Sequence, residues 1–271
     1  MIDKRSIALT IAGFDPSGGA GVLADVRTFA EFGLQCSAAI TSITFQSSTK
    51  VFGVVNQTAE VVRAQVEPLL QGSDVACAKT GMLPSRAIVI EVARLFRDND
   101  LPRPVVDPVF VSSSGHRLME EDAIGDLVNQ LMPLARLVTP NIPEAQTLTG
   151  MTITSEADIR HAASAIRKLG ARADLIKGGH LGEQKAEGRK QEAEGRRQEA
   201  ESEEAVDVLD DEGKVTVFRE ARIRGVELHG SGCILSAAIA AGLGKGKTLE
   251  DSVAAAKSFV SAVIRNSSSA K

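Results

Sequence analysis

The sequence predicts an α/β fold, a mostly parallel sheet covered on both faces by helices and built as a single domain over residues 1–271. Two observations carry that prediction. Short β-branched runs alternate with longer stretches of helical period along most of the chain, as they do where crossover helices join parallel strands. A chain of 271 residues, 43% of them apolar, also buries about three quarters of the surface that it exposes unfolded, so a sizeable core follows. There is no Trp or Tyr, so Val, Ile, Leu and Ala must fill that core, with Phe as the one aromatic.

The expected strands are Ile7 to Ala12, Ala38 to Thr44, Ala76 to Thr80, Val105 to Asp107, Leu137 to Thr139 and Leu175 to Lys177. Between and after them fall helices Val22 to Phe32, Ala59 to Leu70, Ser85 to Arg97, Asp122 to Leu131, Ser155 to Leu169, Cys233 to Leu243 and Leu249 to Ile264. Ser155 with Asp158 three residues on has capping-box spacing, whereas Thr58 with Val61 makes a weaker cap. Gly33, Gly72 and Gly170 stand where left-handed residues would end helices. Val206 to Leu209 and Val215 to Phe218 read as a hairpin turned by DDEGK. From Lys185 to Ala205 an imperfect seven-residue repeat, KAEGRKQ EAEGRRQ EAESEEA, has almost no apolar side chains. A coiled-coil seam needs apolar a and d positions, so about 183–205 is expected to be a charged, solvated insertion.

The formal charge is -4 and no Lys/Arg block interleaves with aromatics, which argues against a nucleic-acid surface. No apolar run reaches the roughly 18 residues that span a bilayer, and the start MIDKRSIALTIAG is too short in apolar residues for a signal peptide. Cys36, Cys77 and Cys233, odd in number and far apart, suit the reducing cytoplasm better than a disulfide framework.

Five strings could carry chemistry. GFDPSGGAG, Gly13 to Gly21, lets backbone approach a ligand at a helix start, or makes a tight strand-to-helix turn. It is not a Walker A loop, because no Gly-Lys-Ser/Thr closes it. HGSGC, His229 to Cys233, opens a helix of small residues, where the amides of Gly230, Ser231, Gly232 and Cys233 can converge on an anion and lower the pKa of Cys233. The same string could instead only pack helix on sheet. TPNIPEA sets Asn141 and Glu144 at a strand-to-helix turn, where they either hold Mg²⁺ partly through water or cap the helix. LIKGGH ends a strand with Lys177 before two glycines, which makes it either a phosphate contact or a solubilising surface charge. VVDPV puts Asp107 at a strand end, where a buried carboxylate needs a metal or a lysine.

In this order the strings LTIAGFDPSGGAGVLADVRTF, AAITSITFQSST, AKTGML, VVDPVFVSSSG, LVTPNIPEA, LIKGGHL and LHGSGCILSAAIAA resemble the hydroxymethylpyrimidine and phosphomethylpyrimidine kinases of thiamine biosynthesis, in the ribokinase-like superfamily. The resemblance spans Ile7 to about Asn266. It implies a three-layer α/β/α fold, ATP and Mg²⁺ as cofactors, a homodimer, and phosphorylation of 4-amino-5-hydroxymethyl-2-methylpyrimidine and then of its monophosphate. Carried over residue by residue, Asp25, Gln46 and Met82 match positions around the pyrimidine, with Thr44 beside them. Asn141, Glu144, Lys177 and Asp107 match positions near the nucleotide phosphates and metal, Asp107 and Glu144 being the metal candidates.

The implied reaction has the hydroxymethyl oxygen attack the γ-phosphorus in line. Cys233 helps to remove its proton, while the Gly230 to Cys233 amides and Lys177 receive the charge. His229 is the rival base, or a hydrogen-bonded structural group. Ser231 replaces the family's threonine and keeps a hydroxyl. Phe110 stands where methionine is common, Leu228 where threonine is frequent, and Ser113 where many members have lysine, which could remove a contact to a substrate phosphate. A pyridoxal kinase of the same superfamily is the nearest rival reading, and a non-catalytic pyrimidine or nucleotide sensor a more distant one. A NAD-dependent reductase lacks the acidic residue expected after Ala38 to Thr44.

Overall fold

Strand β1 (Arg5–Phe14) lies between β2 (Cys36–Gln46) and β4 (Ser73–Thr80), parallel to both. The computed structural model describes residues 5–47, 49–179, 204–223 and 228–269. Beyond β4 the sheet continues through β5 (Val105–Val106), β6 (Leu137–Val138) and β7 (Ala173–Lys177), all parallel. Antiparallel strands finish it: β3 (Val51–Asn56) beside β2, and the hairpin of β8 (Glu204–Asp211) and β9 (Lys214–Ala221) beside β7. β5 and β6 are two residues each and wholly buried, as strands covered on both faces must be.

One face carries α2 (Ala59–Gly72), α3 (Arg86–Asp98), α4 (Glu121–Asp126), α5 (Ile142–Thr149) and α6 (Glu156–Lys168). The other carries α1 (Gly21–Glu31), α7 (Ser231–Gly244) and α8 (Leu249–Ser269). Alternation along the strands divides the core accordingly. Leu9, Ile11 and Ile176 join the first layer, while Ala8, Leu175 and Leu209 join the second. In α7, Leu235 to Gly242 are buried without interruption, because this helix lies between the sheet and α8, where an all-round apolar surface is satisfied. Gly242 admits the side chain of Ser252 on α8, and Gly244 that of Cys77 on β4. No helix among the described residues is long and apolar enough to cross a membrane.

The three-layer architecture agrees with the sequence reading; some elements differ. Val51–Asn56 is a strand that was not expected, and the helix implied after the Asn141 turn runs Ile142–Thr149. The helix expected over Asp122 to Leu131 is α-helical only to Asp126; a π turn, Leu127–Leu131, and a 3₁₀ turn, Met132–Leu134, follow. Pro133 cannot donate the amide that a continuing helix would need. Gly33 and Gly170 have φ of 72° and 110°, as helix stops. Gly72 is instead the last residue of α2, whose chain passes straight into β4 at Ser73. Ser155 and Asp158 form the capping box, and Thr58 accepts the Val61 amide at 3.3 Å. The β8–β9 turn places Glu212 and Gly213 at φ of 53° and 97°, which suits a tight hairpin. Of the charged insertion, residues 183–203 lie outside the described residues, and Glu204 and Ala205 belong to β8.

Candidate active site

The parallel strands end on one edge, and the residues singled out from sequence gather there, as ligand sites do in open α/β sheets. Backbone bonds carry the ladder past the strand ends: Asp107 N–H donates to Thr80 O at 2.9 Å, Thr139 N–H to Val106 O at 3.0 Å and Lys177 N–H to Pro140 O at 2.9 Å. Side chains just beyond the sheet are thereby aimed into a common crevice.

On one side of the crevice, Lys177 Nζ donates to Asp107 Oδ1 at 3.1 Å, and Thr139 Oγ1 donates to the same oxygen at 2.9 Å. The start of α7 stands over this pair: a Cβ added to Gly232 would lie 3.2 Å from Lys177 Nζ and 3.8 Å from Asp107 Oδ2. Gly230 caps the helix in the left-handed region, φ 80°, and a Cβ there would fall 2.0 Å from Gly19 O. Only glycine fits where the two glycine turns touch. Of the four amides expected to converge, that of Ser231 closes a turn onto Leu228 O at 3.2 Å, which leaves those of Gly232 and Cys233 as first-turn donors with no partner inside the helix.

Burial works against the Lys177 ammonium, but Asp107 and Glu144 outweigh it and keep the group charged above its ordinary range. Asp107 is held below its ordinary value: burial opposes ionisation, and Lys177 and Lys79 overcome it. Glu144 is pushed up to about 7, first by burial and then by the Asp107 charge, with Lys177 opposing. Asn141 and Glu144 make a reciprocal cap, Glu144 N–H to Asn141 Oδ1 and Asn141 N–H to Glu144 Oε2, both at 2.8 Å. The capping reading of TPNIPEA therefore holds, and Glu144 also accepts a backbone bond from Phe110 while lying near enough to Asp107 and Lys177 to feel both charges.

Cys233 corrects the sequence expectation. Its thiol is pushed up to about 11, chiefly by burial; Lys79 opposes, and the carboxylates of Asp25 and Asp107 add to the rise. A helix N-terminus alone would lower it, but two nearby anions and desolvation win.

On the other side lie Gln46, Met82, Thr44 and His229. His229 Nε2 is 3.0 Å from Asp15 Oδ2 and 3.5 Å from Gln46 Nε2, and Met82 Sδ packs 3.0 Å from where a Gly13 Cβ would stand. Thr44 Oγ1 donates to Phe14 O at 2.9 Å, so its hydroxyl holds the first glycine turn. Asp25 sits beneath the crevice rather than on its wall. Fully buried, it receives Lys79 Nζ at 2.9 and 2.8 Å on its two oxygens and Thr10 Oγ1 at 2.7 Å.

Sequence reading missed two residues, Asp15 and Lys79. Asp15 accepts the Ser17 amide at 2.8 Å, the Ser17 hydroxyl at 2.9 Å and the Ala20 amide at 2.8 Å, besides facing His229. Burial raises its pKa, but these bonds and one from Gln46 bring it below the ordinary value. Its position before Pro-Ser-Gly-Gly was the available signal, since an Asp side chain readily binds amides two residues on.

A three-layer α/β/α sheet with a helix N-terminus, a lysine and two carboxylates meeting at the strand ends defines a small-molecule phosphotransferase of the ribokinase-like kind. The chain belongs to the phosphomethylpyrimidine kinase family, whose pattern matches residues 15–271. It is 40% identical over 260 residues to a hydroxymethylpyrimidine/phosphomethylpyrimidine kinase of Rhizobium meliloti, covering 96% of this chain and 90% of that one. Among solved structures it resembles a phosphomethylpyrimidine kinase of Clostridium difficile (TM-score 0.78, 32% identity, 96% and 100% covered). It also resembles a pyridoxal kinase of Bacillus subtilis solved with ADP (TM-score 0.80, 34% identity, 95% and 90% covered).

Proposed function

We propose that this protein uses ATP to phosphorylate 4-amino-5-hydroxymethyl-2-methylpyrimidine and then its monophosphate to the diphosphate, in thiamine biosynthesis. The observation that carries the reading is the approach of Gly232, at the start of α7, to Lys177 Nζ and Asp107: one cation and one helix terminus aimed at a single point. Preorganised donors of that kind stabilise the charge on a transferring phosphoryl group without reorganisation. Gln46 and Met82 hold the ring, Gln46 by donating to a ring nitrogen and accepting from the exocyclic amine. Asn141 acts through its cap on Glu144 and Thr44 through the Phe14 carbonyl; Ser231 lines the phosphate turn.

Asp107 and Glu144 suit Mg²⁺ that arrives with the polyphosphate. Asp107 Oδ2 carries only a 3.4 Å contact from Ser236 Oγ, and Mg²⁺ takes one or two carboxylates alongside phosphates and several waters. When bound, the ion would offset charge between the phosphates. Cys233 removes the hydroxymethyl proton, and its thiol near 11 gives this role a signature, since turnover should climb about tenfold per pH unit from 7 to 10. A flat profile together with an active Cys233→Ser variant would move the proton to the rival base, His229.

The deciding assay follows mono- and diphosphate products over time with Mg-ATP and the pyrimidine; no product would overturn the reading. Pyridoxal phosphorylation is the second reading, favoured by the likeness to the Bacillus subtilis pyridoxal kinase, and relative kcat/KM on the two acceptors separates them. We place the reaction in the cytoplasm, which suits the three free thiols. We also place it in a homodimer, for which the exposed Ile43, Phe45, Phe52 and Val55 of the β2–β3 hairpin offer an apolar face.

A further inference from the structure

Lys177 is the last residue of β7, and its cross-strand partner on β8 is Asp207. That pairing completes the ladder, yet the Asp207 side chain does more. Its Oδ1 accepts the amide of Gly178, the first residue of the turn beyond the strand, at 2.9 Å. Its Oδ2 accepts Nζ of Lys257, from the middle of α8, at 2.5 Å. Both partners are buried, Asp207 6% and Lys257 7% exposed. Gly178 has no room for a side chain, since a Cβ there would lie 2.0 Å from Val206 O, so the turn backbone packs directly on β8.

A lysine is costly at that place. Its neighbours on the same helix, Val253 and Ala256, bury apolar side chains in the core, and an apolar pair in place of Lys257 and Asp207 would be at least as stable. What the pair supplies is an ionised carboxylate under a backbone turn, and therefore a charge-assisted bond to Gly178 N–H. Lys177 is then fixed on both sides, by its own amide to Pro140 O at 2.9 Å and by the next amide to Asp207, with Nζ left to reach Asp107.

We infer that Asp207 and Lys257 are positioning residues for the nucleotide phosphates: α8 supplies the buried cation that holds the Lys177–Gly178 turn in its phosphate-binding shape. The inference rests on the phosphotransfer reading above and extends it to a helix that touches no substrate. Its direct readout is affinity for a non-hydrolysable ATP analogue, by calorimetry on the full-length protein with Mg²⁺ and no pyrimidine.

Lys257→Met should weaken that affinity about tenfold, a turn displaced by part of an ångström being enough, while leaving KM for the pyrimidine unchanged. The double variant Lys257→Met, Asp207→Asn removes both charges but keeps an acceptor for Gly178, and should bind within about threefold of wild type. Lys257→Met, Asp207→Leu, equally neutral but without the acceptor, should stay weak. Wild-type affinity in Lys257→Met overturns the proposal, as does equal affinity in the two double variants, which would leave the pair a merely structural role. A wild-type enzyme that binds the analogue but leaves the pyrimidine unphosphorylated would instead sink the substrate reading, with the affinity series still deciding this one.

Discussion

Lys79 on β4 and Lys177 on β7 each meet an aspartate near the carboxyl end of the sheet, but the two pairs differ in kind. Lys79 and Asp25 are sealed, both side chains 0% exposed and in contact through both carboxylate oxygens. Lys177 is 19% exposed and reaches one oxygen of Asp107 at 3.1 Å. A sealed pair cannot change partners without opening the core, whereas an open one can exchange its carboxylate for an incoming phosphate. Identical chemistry thus gives a structural fixture in one place and a working group in another, and access to solvent decides which.

The sharpest way to break this contrast is Lys79→Met, which strands the Asp25 charge. It should cost about 3–5 kcal/mol of unfolding free energy, and Lys79→Met with Asp25→Leu should recover most of that. Urea denaturation reads both, and a single variant as stable as the double would end the distinction. Lys177→Met comes next. Turnover should drop about 10²–10³-fold, as for loss of one donor to a developing anion, with a smaller fall in the urea midpoint than for Lys79→Met, since Asp107 keeps the Thr139 bond and the Lys79 charge; a loss of stability like that of Lys79→Met would make the two pairs alike.

The smallest effect tests the same rule with the partner missing. Asp174, the second residue of β7, is buried with neither carboxylate oxygen hydrogen-bonded. Burial, reinforced by the Asp210 charge and opposed by Arg167, holds it well above its ordinary value of 3.8. A folded-state pKa raised in this way gives stability that is complete below 3.8 and is lost as pH rises through the folded value. Asp174→Leu should therefore gain about 1–3 kcal/mol near pH 8 and less at pH 4. Equal gains at the two pH values would show that the carboxyl carries no proton cost.

Residues that stand at the end of an apolar run, such as Asp107 and Lys177, were legible in the sequence because a strand followed by Pro or Gly announces its own terminus. Lys79 was not. It lies inside the run ACAKT, and its carboxylate comes from a helix 54 residues earlier, which no local pattern records. The direction of the Cys233 shift failed for the same reason: the favourable helix terminus is local, and the opposing Asp25 and Asp107 are not. Asn141 and Glu144 were legible as a cap and as site residues, and they prove to be a cap beside the site. The strand Val51–Asn56 was hidden by Gly53, which breaks its β-branched run and turns out to admit the ring of Phe45.

The contact between Gly230 and the Gly19 carbonyl joins turns some two hundred positions apart in the polypeptide. During synthesis the amino-terminal turn must wait for some two hundred further residues before its counterpart emerges. A chain released before Gly230, even one with most of its sheet, would lack this junction and the start of α7.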